Sequence, residues 1–221
     1  MLVAVIVYRY TGNNSPKFEL VNLPELPEGF YSYGIDISHH QGEIDWDTFF
    51  HSTDSIITFV YCKATEGLNH VDSQYETNRD ELLEHGMPHG AYHFFLPNKD
   101  GLQQAKHFLT IYSPTQNDLP PVLDAEVEGS SDAEIIERMK IWLTHVEEET
   151  GKRPLIYTSY NFYKDIFKGK FPGYKFWIAN YNTIASRFED EEIIHWQFSD
   201  NGEMPGISGP VDLNYSKIAF E

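Results

Sequence analysis

The feature that most constrains the fold is a series of eight short apolar segments between residues 33 and 215. Short apolar runs bounded by turn residues are typical of buried strands. We predict strands at Tyr33–Ser38, Ile56–Thr65, His89–Phe95, Val122–Glu126, Leu155–Ser159, Phe176–Ala179, Ile193–Phe198 and Val211–Tyr215. A chain with this many strands in one domain must form a large sheet or a barrel.

Helical segments separate these strands through the first two-thirds of the domain. The pattern predicts helices at Ser73–His85, Gly101–Tyr112 and Ser131–Thr150, and one more that begins after an Asp45 cap. In the clearest of them, Ser131 and Glu134 have capping-box spacing and Gly151 stands where a C-terminal cap belongs. Because the helices become sparse after residue 167, we predict an α/β fold: an irregular TIM-like barrel of eight strands with fewer helices, in a single domain.

Two carboxylates, Asp124 and Glu126, lie at the end of the fourth predicted strand. Successive strand side chains point to opposite faces, so these two share a face and Ala125 points away. Functional residues of such barrels gather at the carboxyl ends of the strands. Asp36 lies near the end of the first strand and Glu66 follows the second. We therefore expect a cluster of acids at one end of the barrel.

This acid pair is suited to cleaving a glycosidic bond. That reaction needs one carboxyl held protonated and a second group that stabilises positive charge on the sugar. Neighbouring carboxyls supply the asymmetry, since ionising one raises the pKa of the other. Glu126 has the longer reach and is the predicted general acid, with Asp124 as the stabiliser. Spacing alone leaves capping, metal binding or simple solvation open as alternatives.

Aromatic residues, which make up 15% of the chain, are frequent at the predicted strand ends. An aromatic face stacks on the apolar face of a sugar ring, and a neighbouring amide orients the hydroxyls. The candidate substrate-binding residues are Tyr92, Phe94, Tyr157, Trp177, Tyr181 and Gln197. We expect about half of the aromatic side chains to serve core packing instead.

Composition and motifs argue against several other functions. A formal net charge of −18 is opposed to binding nucleic acid through its phosphates. The sequence contains no Walker loop and no Gly-x-Gly-x-x-Gly, so no nucleotide or other cofactor is expected. The histidines lack the spacing of a metal site, and we expect no metal. The single cysteine, Cys62, lies in an apolar run and is predicted to be a buried small hydrophobe.

The first thirty residues differ in character from the rest. Leu2–Tyr8 is apolar but far shorter than the about 20 residues that span a bilayer. It could be the remnant of a membrane anchor, an export signal or an edge strand, and we favour the anchor. Thr11–Phe30 is rich in Gly, Asn and Pro and is predicted to be an irregular tether. We therefore divide the chain into residues 1–30 and a catalytic domain of residues 31–221.

Eight short blocks, in order along the chain, resemble glycoside hydrolase family 25, the Chalaropsis-type lysozymes. The first runs from Tyr33 to Trp46 (YGIDISHHQGEIDW). The others are Lys63–Gly67, Gly90–Phe94, Leu123–Glu126, Ile156–Ser159, Trp177–Tyr181, Trp196–Ser199 and Val211–Asn214. Any one block is weak evidence, but eight in order over about residues 31 to 221 are specific.

The resemblance implies N-acetylmuramidase activity on peptidoglycan and a flattened barrel. By motif, Glu126 is similar to the general acid, Asp124 to the group that steadies charge or orients the 2-acetamido group, and Asp36 and Asp212 to two further cleft acids. Retention of configuration is implied, with either the acetamido oxygen or a carboxylate as nucleophile. The chain departs from the family at Ala125, where a larger hydrophobic residue is usual, and we expect a packing change only.

These implications lead to a wider set of expectations. The chain is expected to be an exported, monomeric enzyme of the bacterial cell envelope that acts on peptidoglycan glycan strands, with an N-terminal membrane tether. A glycan-binding module without catalysis, or a hydrolase of another acetamido-sugar polymer, are the alternatives. The presence of all four acids favours an enzyme.

Overall fold

A computed structural model describes residues 2–11, 15–53, 56–115, 118–129, 131–182 and 188–220, with side chains from residue 23 onward. Eleven strands are described. They are β1 (Leu2–Thr11), β2 (Ser15–Pro24), β3 (Ser32–Ile37), β4 (Ile57–Glu66), β5 (His70–Val71), β6 (His89–Phe94), β7 (Val122–Asp124), β8 (Leu155–Ser159), β9 (Lys175–Ala179), β10 (Ile193–Gly202) and β11 (Val211–Ser216).

Eight of these strands close into a barrel in the order β3, β4, β6, β7, β8, β9, β10, β11 and back to β3. From β3 to β10 the neighbours around the barrel are parallel, whereas β11 runs antiparallel to both β10 and β3. The predicted α/β barrel is confirmed, and its eight strands match the eight predicted segments. The two-residue strand β5, which extends the sheet beside β4, was not predicted.

Four of the described helices lie where the sequence indicates, and a fifth, single-turn helix was not predicted. They are α1 (Trp46–Thr53), α2 (Tyr75–Glu84), α3 (Gly101–Ile111), α4 (Asp132–Thr150) and the single turn α5 (Tyr160–Phe162), which continues as a π-helical turn over Tyr163–Phe167. Asp45 caps α1 by accepting a hydrogen bond from the Thr48 N–H at 3.0 Å. Ser131 and the left-handed Gly151 cap α4 as expected.

Large side chains fill the barrel interior beneath one end. Phe59 and Tyr61 of β4 contact Trp177 and His195, and all four side chains are buried. Gly34 leaves room for the Phe59 ring, because a Cβ at position 34 would lie 2.3 Å from that ring. The described part of the barrel interior is therefore a packed core, and the cleft lies at its mouth.

The N-terminal segment differs from its predicted conformation. Strands β1 and β2 pair antiparallel along their whole length, with Leu2 opposite Pro24 and Thr11 opposite Ser15. The prediction that Ser15–Pro24 is irregular is therefore wrong. Prolines near the ends of a two-stranded ribbon are compatible with strand pairing. Leu2–Tyr8 has the conformation of a strand, which was one of the three interpretations of this segment. The division of the chain at residue 30 stays a prediction.

Among the described residues, no helix combines the length and the apolar character needed to cross a membrane.

Candidate active site

A cleft of about 180 Å³ opens at the mouth of the barrel. The carboxyl ends of the parallel strands form it, together with the start of β11, whose antiparallel direction brings its first residues to the same end. The cleft is lined by Asp36, His40, Lys63, Tyr92, Phe94, Val122, Asp124, Glu126, Tyr157, Trp177, Gln197 and Asp212. All four predicted catalytic acids are thus brought together.

Asp124 and Glu126 lie side by side at the end of β7. The regular strand ends at Asp124, but the Ala125 N–H still donates to the Tyr157 carbonyl at 2.9 Å. This bond preserves the strand alternation, so Ala125 packs into the core and both acids face the cleft. Asp124 is 7% exposed, while Glu126 is exposed at the cleft mouth.

Both members of this pair have pKa values above the ordinary range. Burial, followed by the charge of Glu126, raises the pKa of Asp124 well above its usual value. Desolvation by the cleft walls, followed by the charge of Asp36, raises the pKa of Glu126. The Lys63 ammonium lowers the pKa of both but does not cancel these effects. The pair therefore retains a proton at pH values where isolated carboxyls are ionised, as general-acid catalysis requires.

Asp36 and Asp212 form a second pair on the opposite wall. They are directly opposed across β3 and β11 and are joined by a side-chain hydrogen bond. Burial, followed by the charge of Asp36, raises the pKa of Asp212 to about 9. Burial also raises the pKa of Asp36, but hydrogen bonds from Asn214 and Gln197 oppose that effect. Asp212 therefore keeps its proton at neutral pH and is hydrogen-bonded to Asp36.

The raised pKa of Asp212 makes the stability of the folded state depend on pH between about 4 and about 9. Between the ordinary carboxyl pKa and about 9, the folded protein holds a proton that the unfolded chain has released, so stability falls as pH rises. Asp212→Asn mimics the protonated acid at every pH. We expect it to raise the free energy of unfolding by about 1 kcal/mol or more at pH 9, or roughly 2–4 °C in Tm, with little change at pH 4.

Thermal melts of both proteins at the two pH values test this expectation. Asp165→Asn, at an exposed aspartate outside the cleft, is the matched control and should melt like the wild type at both. If Asp212→Asn raised Tm equally at pH 4 and pH 9, the cause would be packing, and the ionisation argument would be contradicted.

Gln197 links the two walls through a set of hydrogen bonds. Its Oε1 accepts from the Tyr157 and Tyr181 hydroxyls, both at 2.8 Å. Its Nε2 therefore faces Asp36 and donates to Oδ2 at 3.1 Å and Oδ1 at 3.3 Å. Tyr181 is 49% exposed and is the one predicted site residue that does not line the cleft itself, although it positions one that does.

The predicted aromatic residues differ in how far a ligand can reach them. Tyr92 and Phe94 are half-buried and present surface to the cleft, and Tyr181 stands exposed beside it. Trp177 is 1% exposed, and Tyr157 is buried with its hydroxyl already bonded to Gln197. These last two contribute to the floor of the cleft, as expected for aromatic residues that also pack the core.

Lys63 and His40 line the cleft but were not among the predicted site residues. The Lys63 ammonium donates to Glu66 Oε2 at 2.6 Å and lies 4.8 Å from the centre of the Phe94 ring. Lys63 is buried, and a lysine within an apolar strand was the available signal, because buried ammonium groups are rare without a specific partner. The His40 ring packs at a tilt against the ring of His39, which is held by the buried carboxylate of Asp72 at 2.6 Å.

No group of three or more His, Cys, Asp or Glu side chains is placed to hold a metal ion within the described part of the chain.

Paired carboxyls of raised pKa at the mouth of a barrel are the arrangement that acid–base glycosidases use. Residues 35–207 match the Glycosyl hydrolases family 25, which is more than half of the chain. The protein belongs to this family and is a glycoside hydrolase.

Several individual proteins are also similar to this chain. The chain is 38% identical over 192 residues to the uncharacterized protein YegX of Escherichia coli K12, covering 86% of this chain and 71% of that one. It superposes on a family 25 glycosyl hydrolase of Bacillus anthracis with a TM-score of 0.78 and 25% identity, covering 87% and 91% of the two chains. For the lysozyme of Streptomyces coelicolor the TM-score is 0.73 and the identity 30%, covering 84% and 92%.

Proposed function

We propose that this protein is a muramidase that hydrolyses the β-1,4 bond between N-acetylmuramic acid and N-acetylglucosamine in peptidoglycan. The observation that carries the proposal is the Asp124–Glu126 pair, two neighbouring carboxyls of raised pKa at the mouth of a family 25 barrel. The 30% sequence identity to the lysozyme of Streptomyces coelicolor supports peptidoglycan as the substrate.

In this proposal Glu126 is the general acid. It lies at the exposed mouth of the cleft, where a glycosidic oxygen can approach, and desolvation raises its pKa, which favours the protonated form. Proton transfer to the leaving oxygen breaks the bond as positive charge develops on the sugar. The negative charge that the cleft carboxyls retain stabilises that developing positive charge electrostatically.

Asp124 is the proposed partner that manages charge and orients the substrate. Its Oδ1 is buried and has no hydrogen-bond partner among the described residues. A buried oxygen without a partner is costly, and a substrate N–H would satisfy it. The 2-acetamido group carries such an N–H next to the reacting carbon, which supports a role for Asp124 in holding that group.

We also propose retention of configuration, with the nucleophile either the acetamido oxygen or a carboxylate. Export to the cell envelope, action as a monomer and a tethering role for residues 1–30 belong to the same proposal. A catalytically silent glycan-binding module and a hydrolase of another acetamido-sugar polymer are the competing functions, and the following experiment separates them.

Digestion of purified peptidoglycan should release fragments that end in reducing muramic acid. Borohydride reduction followed by mass spectrometry identifies the terminal sugar, and chitin oligosaccharides serve as the comparison substrate. Reduced glucosamine ends would make the protein a glucosaminidase. Cleavage of chitin oligosaccharides in preference to peptidoglycan would indicate another polymer, and intact glycan with measurable binding would indicate a binding module.

A further inference from the structure

A chain of buried hydrogen bonds ends on Asp36 from the side of β11. The indole N–H of Trp177 donates to Asn214 Oδ1 at 2.8 Å, and Asn214 Nδ2 donates to Asp36 Oδ2 at 2.8 Å. Asn214 is 0% exposed and Trp177 1% exposed, so neither amide atom of Asn214 has water as an alternative partner. Neither the sequence motifs nor the proposed reaction assigns a role to Asn214.

The direction of these bonds is determined by the donors at the far end. An indole N–H can only donate, so it must face the oxygen of the Asn214 amide and leave the NH₂ group toward Asp36. The same reasoning holds for Gln197, whose oxygen accepts two phenol hydroxyls and whose NH₂ group therefore also faces Asp36. Two amides are thus held with their donors directed at one carboxyl.

We propose that Asn214 and Trp177 are positioning residues that keep Asp36 ionised at neutral pH. The proton shared across β3 and β11 then stays on Asp212. A carboxylate that accepts fixed N–H donors on both oxygens is stabilised in its charged form, and protonating it would direct an O–H at one of those donors. Asp212 lacks such a set among the described residues and donates to Asp36 instead.

Several other titratable groups face Asp36, and their charges act on it from the surrounding strands. They are Cys62, Tyr92, Asp124, Glu126, Tyr157, Tyr181 and Asp212. Burial raises the pKa of the cysteine and of the three tyrosines, so these four are neutral at pH 7. The remaining neighbours are the acids that share protons in the cleft, and their charge disfavours a second anion. The fixed donors therefore decide which acid is ionised.

The ionised state of Asp36 affects the general acid of the proposed reaction. This step of the inference rests on the proposed function. The negative charge of Asp36 raises the pKa of Glu126 and so favours the protonated general acid. Asn214 would act on Glu126 through Asp36, without touching the substrate. The substitution Asn214→Leu should therefore alter how the cleft acids titrate even though the cleft wall remains.

Carboxyl titration of the full-length protein tests the proposal without any substrate. Aspartate labelled with ¹³C at the side-chain carboxyl gives one NMR signal for each residue, and Asp36→Asn identifies the signal of Asp36. In Asn214→Leu we expect the Asp36 midpoint to rise by about one pH unit, which is the loss of one hydrogen bond to a charged group. Trp177→Phe removes only the indole N–H that donates to Asn214, and it should raise the Asp36 midpoint by a smaller amount.

Asn78→Leu is the matched control. Asn78 is 1% exposed on α2, and neither of its amide atoms has a hydrogen-bond partner among the described residues. The control should leave the Asp36 titration unchanged.

An unchanged Asp36 midpoint in a folded Asn214→Leu protein overturns the proposal, as does a wild-type Asp36 that is protonated at pH 7. Where Asn214→Leu does not fold, an unchanged midpoint in Trp177→Phe overturns it equally. A wild type that fails to cleave peptidoglycan but titrates as expected would refute the proposed function alone.

Discussion

Glu126→Gln is expected to reduce the rate of peptidoglycan hydrolysis about 10³-fold, within the range that general-acid catalysis contributes. Glutamine matches glutamate in size but has no acidic proton, so the leaving oxygen would depart unprotonated. The side chain lies at the exposed cleft mouth, outside the core, so the fold should be retained. The loss should appear in kcat, while KM for glycan fragments changes little.

Turbidity clearance of purified peptidoglycan measures the rate, and a binding titration with non-hydrolysed glycan measures affinity. Glu128→Gln is the matched control, because Glu128 is exposed two residues further along the same segment and does not line the cleft. Near-wild-type clearance by Glu126→Gln would refute its role as the acid. A parallel loss in the control would attribute the effect to the segment as a whole.

Gly34→Ala is expected to lower the free energy of unfolding by about 2 kcal/mol, or roughly 4–8 °C in Tm. A Cβ at this position would lie 2.3 Å from Cζ of Phe59 and 2.4 Å from both Cε atoms. Phe59 is 0% exposed and is stacked on His195, so its ring has no free space to move into. The substitution forces overpacking at the centre of the barrel.

The double variant Gly34→Ala, Phe59→Leu tests this explanation. Leucine lacks the distal ring atoms that the new Cβ would meet, so the two costs should not add. We expect Phe59→Leu alone to cost about 1–2 kcal/mol, and the double variant to be more stable than the sum of the single changes predicts. Strict additivity in thermal melts would show that the two positions do not interact.

The acid cleft illustrates a conflict between stability and catalysis. Burial raises the pKa values of Asp36, Asp124, Glu126 and Asp212, so each carboxyl disfavours folding when ionised. The same arrangement supplies the protonated acid and the fixed negative charge that the proposed reaction needs. Replacement of one of these acids by its amide is therefore expected to raise the stability of the fold and to lower activity at the same time.

Much of the fold was predictable because the signals are local. Buried strands require short apolar runs, and helix ends require particular capping residues such as Asp45 and Ser131. The conformation of Ser15–Pro24 was not predictable in this way. Its partner is another strand, and the Gly, Asn and Pro residues of Thr11–Phe30 suggested an irregular tether.

Part of the site followed from strand geometry and part did not. The alternation of side chains placed Asp124 and Glu126 together on one face, a property of the local backbone. The position of Asp212 depended on the direction of β11, which the sequence does not state. Lys63 was overlooked because its strand was treated as core.

From the sequence alone came the barrel class, the family resemblance and the acid pair, since all three depend on residue order and short-range periodicity. The tertiary structure decided which distant residues share the cleft and how their charges interact. Asn214 illustrates the difference: its bonds to Asp36 and Trp177 join residues 178 and 37 positions away. Hydrogen-bond direction and burial depend on where the chain closes in space, so the proton on Asp212 follows from barrel closure.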